Sequence, residues 1–361
     1  MIARQLCIVL GFLTLAPAVA SAQHAPLRVA PAAAPAALRL LEFEATGIAW
    51  LDDSTLALID GDSRQIVVAS RSGTLRRIGR EGSGPGEFRF PTSLLAERGT
   101  LLVADIGTRR VSRFDAQQQF IGSAPTPGPV LQLLGMEGNR VQLAWLDFAV
   151  TDGGPVVGEL DFASGKSARR FAVFERDSAL GVRTESMQGP TPFVAVAGGP
   201  GGLVVAASPQ TYRVTAFDSA GKAIRHFGRS LRPVHRTEAE VEAVIAEGGS
   251  RIRRMAAAEG GNADAVAELR RSLLKQPKPH FLMNAVTLDA HGRLWVATTR
   301  GGARTEVDVF GPDGAFLGSV SLAGRVSALA VRSPWLAVIS EPTSGEAEGV
   351  QGVHLYRIGG E

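Results

Sequence analysis

Histidine and cysteine are the side chains that most often bind transition metals or transfer protons near neutral pH, and this chain has few of them. The single cysteine, Cys7, excludes an internal disulfide framework and a cysteine-based zinc cluster. No His-Glu-x-x-His motif, nucleophile elbow or phosphate-binding loop is present. The histidines are separate in sequence: His24, His226, His235, His280, His291 and His354. His235 and His280 flank a predicted helical segment, so a shared metal or acid–base role is one alternative, and packing or solvent exposure is the other.

Arginine dominates the basic residues of the chain. The 38 basic residues include only four lysines: Lys166, Lys222, Lys275 and Lys278. A guanidinium group binds carboxylate and phosphate groups in a bidentate geometry, so this bias favours an anion-binding surface. A GC-rich genome explains the same bias without any function. The net charge of +3 is too small to indicate nucleic-acid binding by itself.

The N-terminus has the pattern of an export signal. Arg4 precedes an apolar run over residues 6–15, and the small residues at 20–22 form a typical cleavage site. We therefore predict a signal peptide over residues 1–22 and a periplasmic or secreted protein; an uncleaved anchor is the alternative. No later segment is apolar over enough residues to span a membrane.

The rest of the chain is predicted to be all-β. Residues 23–37 are rich in proline and alanine, a composition that predicts an extended linker. From residue 38 onward, units of four short apolar strands joined by glycine or aspartate turns recur at a spacing of roughly 40 residues, which is typical of propeller blades. Six units predict a six-bladed β-propeller over residues 38–361. The sixth unit shows three clear strands, so residues 38–43 are predicted to supply its fourth strand and close the ring.

Residues 235–279 interrupt the strand pattern between blades four and five. Thr237 and Glu240 fit a capping box, and apolar residues follow them at helical spacing. Two further helices are expected, a short one near residue 252 and one that begins after Asn262. We predict a helical insertion that lies over the loop-rich face of the propeller.

The most specific pattern covers residues 79–123, which read GREGSGPGEFRFPTSLLAERGTLLVADIGTRRVSRFDAQQQFIGS. This segment resembles an NHL repeat, with Asp105 and Arg110 at the paired positions of the repeat and Phe114 in step. The other blades match less closely, and the whole chain resembles the exported bacterial propellers of the NHL and TolB-like type. We expect structural roles for these residues: Asp105 accepts hydrogen bonds in its turn, Arg110 pairs with it, and Phe114 packs between blades.

The resemblance places ligands and metals at one end of the central channel, near the start of each inner strand. Propellers similar to lactonases hold calcium there with acidic and amide side chains, and those similar to amidating lyases hold zinc with histidines. The corresponding segments here offer only a few polar side chains: Asn284, Gln132, Thr92 and Ser93. Calcium needs six to eight oxygen ligands and catalytic zinc about three histidine or carboxylate ligands, so we predict no metal and no cofactor.

The turns within blades and the links between them emerge together on one face, which is rich in arginine and also carries acids. We take eight residues as candidate ligand-binding residues on this face and at the channel mouth: Arg64, Arg109, Arg213, Arg253, Arg254, Arg300, Arg304 and Asn284.

The leading hypothesis is an exported, non-catalytic binding module. It would be a monomer that recognises a protein, a peptide or an anionic polymer on this face, and export argues against nucleic acid as the partner. The alternative is a propeller hydrolase or lyase, lactonase-like or amidating-lyase-like, with a site at the channel mouth. Converging acid or histidine side chains would favour the enzyme, and a wide groove without them would favour binding.

Overall fold

The computed structural model describes residues 27–147, 155–173, 194–247, 263–342 and 350–359. In these residues the strands form six four-stranded antiparallel sheets, whose innermost strands contact one another in a closed ring. The predicted fold class, a six-bladed β-propeller, is confirmed. The predicted signal peptide (1–22), the short second helix and the pair Arg253 and Arg254 lie outside the described residues.

Blades one to five have their strands in chain order from the channel outward. Blade one consists of β2 (Ala45–Trp50), β3 (Thr55–Asp60), β4 (Gln65–Ser70) and β5 (Leu75–Ile78). Blade two consists of β6 (Pro91–Glu97), β7 (Thr100–Asp105), β8 (Arg110–Phe114) and β9 (Phe120–Pro125). Blade three consists of β10 (Val130–Glu137), β11 (Arg140–Leu146), β12 (Pro155–Asp161) and β13 (Lys166–Ala172).

The next two blades flank the helical insertion. Blade four consists of β14 (Ala195–Gly198), β15 (Val204–Ser208), β16 (Arg213–Phe217) and β17 (Ala223–Gly228). A short 3-10 turn, Pro200–Gly202, joins its first two strands. Blade five consists of β18 (Phe281–Leu288), β19 (Leu294–Thr298), β20 (Arg304–Phe310) and β21 (Phe316–Ala323).

Blade six closes the ring. Its strands run outward through β22 (Arg325–Arg332), β23 (Trp335–Glu341), β24 (Gly352–Gly359) and β1 (Arg28–Ala32). The register places Arg28 opposite Gly359. The fourth strand therefore comes from residues 28–32, so the prediction that residues 38–43 close the ring is wrong. The assignment of residues 28–32 to an extended linker is wrong for the same reason.

The proline content of the closing strand explains this difference. Pro31 has no backbone N–H group to donate, so it would interrupt a central strand. β1 is an edge strand, where an N–H group on the outer side would have no partner strand in any case. Leu38 instead lies in the short helix α1 (Ala36–Arg39) and is 1% exposed. Together with Leu41 it packs in the apolar core between blades six and one.

The core lies in layers between neighbouring blades. In β3, the four consecutive residues from Leu56 to Ile59 are all buried, because each sheet is covered on both faces by adjacent blades. One layer joins Trp50 of blade one to Leu355 of blade six. The indole N–H of Trp50 also donates to the Ala330 carbonyl at 3.1 Å, which ties the inner strands of these blades together.

The insertion between blades four and five contains α2 (Glu238–Glu247) and α3 (Ala263–Lys275). The expected capping box begins α2: the N–H of Thr237 donates to the Glu240 carboxylate (2.7 Å), and the N–H of Glu240 donates to the Thr237 hydroxyl (3.2 Å). At the base of the insertion, the N–H of His280 donates to the Pro209 carbonyl in blade four. None of the helices in the described part of the chain is long and apolar enough to cross a bilayer.

Candidate functional site

Strand direction divides the propeller into two ends. The turns between the second and third strands of each blade, and the links from one blade to the next, lie at the same end. We call this end the loop face. Because the insertion lies between β17 and β18, it also starts and finishes at the loop face.

A buried carboxylate fixes the blade-one turn on the loop face. Asp60 accepts hydrogen bonds from the N–H groups of Asp62 (3.0 Å) and Ser63 (2.9 Å). Burial acts to raise the pKa of Asp60, but the bonds from Ser63 and the ion pair with Arg77 outweigh it, so the pKa lies below its usual value. The fixed turn holds Arg64, whose φ of 56° lies in the left-handed region.

Blade two places an exposed aromatic ring beside Arg64. The buried Asp105 accepts hydrogen bonds from the N–H groups of Arg89 (2.6 Å) and Phe90 (3.1 Å), which fixes the entry to this blade. Phe90 is 47% exposed, and the guanidinium of Arg64 lies 5.5 Å from its ring centre, within cation–π range. Gly107 allows the close approach of this segment, because a Cβ there would lie 2.6 Å from the Cβ of Arg89.

Arg110 holds the glycine-rich loop that precedes Phe90. It lies opposite Asp105 in the register, but its guanidinium donates to the carbonyls of Ser83 (2.9 Å), Gly84 and Glu87 (2.8 Å). The expected pairing of the Asp105 and Arg110 side chains is therefore wrong. The physical reason is that backbone N–H groups already occupy the carboxylate.

A cavity of about 740 Å³ opens at the loop-face end of the channel, over blades one to three. Its polar lining includes Glu44, Asp62, Arg64 and Asn284. Its apolar lining includes Phe90, Ile106, Leu131 and Leu146. We call this space the mouth cavity. Of the predicted ligand-binding residues, Arg64 and Asn284 are brought together here.

The central channel itself has a volume of about 530 Å³ and is lined by the inner strands. Thr92, Gln132 and Asn284 lie in its wall, as predicted for the polar positions of these strands. Ser93 is already engaged, because its hydroxyl accepts a 3.0 Å hydrogen bond from the N–H of Leu133. Across the described ranges, no three His, Cys, Asp or Glu side chains are grouped as a metal centre would require.

Other predicted arginines are used locally at separate points. Arg109 donates to the Pro127 carbonyl at 3.4 Å. Arg304 donates to the Ser321 carbonyl at 2.8 Å, across two strands of blade five. Arg213 is exposed at the start of β16. The structure therefore does not gather these three side chains into one site.

Arg300 belongs to a buried ionic cluster between blades four and five. Asp308 is completely buried in β20 and pairs with Arg300 (2.5 Å) and with Arg229 (3.1 Å). It also accepts hydrogen bonds from the hydroxyls of Tyr212 (2.6 Å) and Ser319. We call these five residues the Asp308 cluster. The side chains of Arg229 and Arg300 remain 27% and 31% exposed, so the cluster reaches the surface.

Tyr212 contributes an aromatic ring to this cluster, and His280 adds a second ring beside it. Burial and the neighbouring Asp308 charge raise the pKa of the Tyr212 hydroxyl, which therefore stays protonated and donates. The ring of His280 stacks on Tyr212 with centroids 5.9 Å apart. Burial, and then the charge of Arg300, lower the pKa of His280, so this imidazole is neutral at neutral pH.

Sequence reasoning found Arg300 but missed Asp308, Arg229 and Tyr212. A usable signal was present, because an aspartate between Val307 and Val309 in an apolar strand must be buried on one side of the sheet. Buried carboxylates require charged or hydrogen-bonding partners. The identity of those partners depends on how blades four and five pack, which the sequence pattern does not specify.

No protein-family model and no curated protein sequence matches this chain. Several solved structures share the fold. A member of the DUF4221 family from Bacteroides vulgatus superposes with a TM-score of 0.56 at 11% identity, over 92% of this chain and 99% of that one. A Bacteroides fragilis protein whose name describes it as exported has a TM-score of 0.53 at 13% identity, over 91% and 94% of the two chains.

A third similar structure is that of the RRP9 WD40 repeats, with a TM-score of 0.52 at 13% identity, over 92% of this chain and 98% of that one. Identities this low establish the propeller fold alone. The fold is a scaffold that carries many activities, so function must be argued from the loop face.

Proposed function

We propose that this protein is an exported, non-catalytic binding module that holds a peptide segment of a partner protein in the mouth cavity. The observation that carries the proposal is the pairing of the exposed Phe90 ring with the Arg64 guanidinium at the rim of that cavity. Exposed aromatic and arginine side chains are the residues that contribute most to recognition surfaces.

The size and lining of the mouth cavity suit a short peptide. Its volume lies within the range of about 300–1,000 Å³ that is usual for ligand pockets. The apolar wall formed by Ile106, Leu131 and Leu146 would accept one apolar side chain. Arg64 and the Asn284 amide would bind the carbonyl or carboxylate groups beside it.

The charge of the cavity distinguishes between the predicted ligand classes. Glu44 and Asp62 line it together with Arg64, so the cavity is not cationic overall. An anionic polymer would be repelled by these two acids, whereas a peptide with few charges would not. The Asp62 carboxylate is also engaged, because it accepts a 2.8 Å hydrogen bond from the N–H of Glu44.

Export and family membership are parts of the same proposal. The pattern of residues 1–22 supports export, and N-terminal sequencing of mature protein should begin at Gln23. The hydrogen bonds of Asp105 and Arg110 around the glycine-rich loop support kinship with NHL-type propellers. We propose that the protein acts as a monomer, without a cofactor and without nucleic acid.

A peptide selection tests the function. A random peptide library would be selected on the purified mature protein, and the enriched peptides measured by fluorescence anisotropy. Phe90→Ala should weaken their binding by about tenfold, because an aromatic contact is worth about 1–2 kcal/mol. Ile121→Ala, which removes another exposed apolar side chain of blade two, should leave binding unchanged. Equal binding to the wild type and to Phe90→Ala, or no enrichment at all, would refute the proposal.

A further inference from the structure

We propose that the exposed part of the Asp308 cluster is a second binding site, which takes a phosphate group at the loop face between blades four and five. The site is formed by the guanidinium groups of Arg229 and Arg300, with His280 beside them. It differs from the mouth cavity in position, residues and ligand class, so it does not depend on the proposed peptide function.

The charges of the cluster do not balance. Arg229 and Arg300 both bond to the Oδ1 atom of Asp308, at 3.1 and 2.5 Å. Because both bonds end on the same oxygen atom, the two bonded nitrogens can be no farther apart than the sum of these two distances. One carboxylate can neutralise only one of the two guanidinium charges, so a formal positive charge remains at this partly exposed point.

Asp308 has no acceptor capacity left. Besides the two arginines, its oxygens accept the hydroxyl hydrogens of Tyr212 and Ser319. A carboxylate offers about four lone-pair positions, and these partners occupy them. The remaining N–H groups of the arginines therefore bond to water or to another acceptor.

Both arginines have further donors besides those that bond to Asp308. Each guanidinium has five N–H groups, and Arg229 uses only Nη1 and Arg300 only Nη2 in their bonds to Asp308. Within the described residues the Nε of Arg300 is buried without a hydrogen-bond partner. This Nε is not reachable from solvent, so the donors available to an anion are the remaining Nη groups of the two partly exposed side chains.

The rings around the cluster hold this arrangement. The guanidinium of Arg229 lies 4.4 Å from the ring centre of Phe316, within cation–π range. His280 stacks on Tyr212 and is neutral, so it can donate or accept one hydrogen bond without adding charge. Two guanidinium groups that approach one point from different blades match the several oxygens of phosphate better than the two oxygens of a carboxylate.

Calorimetric titration of the folded protein with inorganic phosphate, in chloride buffer of low ionic strength, tests the site. The wild type should bind phosphate in a single saturable step. Arg300→Gln and Arg229→Gln should each weaken this binding by about tenfold or more, since each removes one charge-assisted contact. Arg225→Gln is the matched control, because Arg225 joins the same two blades through a neutral contact, to the Pro312 carbonyl.

The variant Asp308→Asn distinguishes between two roles of the cluster, a phosphate-binding site and a purely structural ion pair. It removes the competing carboxylate, so phosphate should bind more tightly and raise the melting temperature more than it does for the wild type. The substitution destabilises the fold in either case, but a purely structural cluster would gain nothing from phosphate. The proposal is overturned if the wild type does not bind millimolar phosphate, if both arginine variants bind it normally, or if phosphate fails to stabilise Asp308→Asn.

Parallel titrations identify the source of the phosphate group. Binding of glycerol phosphate at least as tightly as inorganic phosphate would support a phosphate carried by a larger molecule. Binding of inorganic phosphate alone would support the free ion. Acetate that binds as tightly as phosphate would overturn the assignment to phosphate.

Discussion

The hydroxyl of Tyr212 donates a 2.6 Å hydrogen bond to the buried carboxylate of Asp308, and so joins the blade-four turn to the third strand of blade five. Tyr212 is itself 1% exposed and has a φ of 51°, a left-handed conformation that is uncommon for an aromatic residue. The bond and the packing of the ring hold it there. This contact therefore links the two blades on either side of the helical insertion.

Asp308→Asn should destabilise the propeller by about 3 kcal/mol, because it leaves two guanidinium groups next to a buried site that has lost its charge. Urea unfolding followed by tryptophan fluorescence would measure the loss. Asp53→Asn is the control: Asp53 also pairs with an arginine, Arg332, but it is 81% exposed. That substitution should change the free energy of unfolding by less than about 1 kcal/mol. Similar effects of the two substitutions would show that the Asp308 cluster does not stabilise the fold.

Stability should fall as the pH is lowered from 7 toward 5. Burial lowers the pKa of His354 in the folded state below its value in the unfolded chain, about 6.5. Between these two values the unfolded chain binds more protons, so protonation favours unfolding as the pH falls. His280 contributes in the same direction.

The variant His354→Gln should therefore show a weaker pH dependence of its melting temperature between pH 7 and 5. His235→Gln is the control, because His235 is exposed, with its ring 3.3 Å from the Lys275 carbonyl. If the pH dependence of His354→Gln equals that of the wild type, the folded protein accommodates the charged imidazole at this position.

Removal of residues 27–33 should open blade six. The outer edge of β24 would lose its partner β1, and an uncovered strand edge favours association between molecules. Size-exclusion chromatography should show oligomers or aggregates, and the melting temperature should fall. A chain that begins at residue 27 is the control and should behave as the mature protein does. A monomeric and equally stable chain that begins at residue 34 would show that β1 is dispensable.

Protein purified without chelators should contain far less than one equivalent of calcium or zinc. The reason is the donor set: Thr92, Gln132 and Asn284 of the described channel lining are neutral, and the acid in that lining, Asp53, is paired with Arg332. Elemental analysis by mass spectrometry is the measurement. Stoichiometric metal that is lost in Asn284→Ala or His280→Ala would instead support the enzymatic alternative.

The blades could be predicted because their strands are defined by local pattern. In β7 the apolar residues Leu101 to Ala104 are followed by Asp105, which turns the chain, and this pattern recurs along the sequence. The capping box at Thr237 is equally local, and it was confirmed for the same reason.

Features that depend on how distant segments meet could not be predicted. Pro31 makes residues 28–32 resemble a linker in the sequence. The residue that pairs with it, Tyr356, lies at the other end of the chain, so no local pattern indicates the pairing. Arg110 was expected to pair with the acid opposite it in the register, but the glycine-rich loop brings carbonyl groups closer. The mouth cavity likewise combines Arg64 of blade one with Phe90 of blade two, and no sequence spacing encodes that contact.

The closing strand also sets the order in which the molecule can assemble. In blades one to five each strand has its partner within the same short stretch of chain, whereas β1 must wait for β24. With Arg28 opposite Gly359, this pairing closes a loop of nearly the whole described chain, at an entropic cost of about 5 kcal/mol. During synthesis or translocation from the N-terminus, the ring therefore stays open until its last strand emerges. Until then the two ends of the chain are not joined by strand pairing.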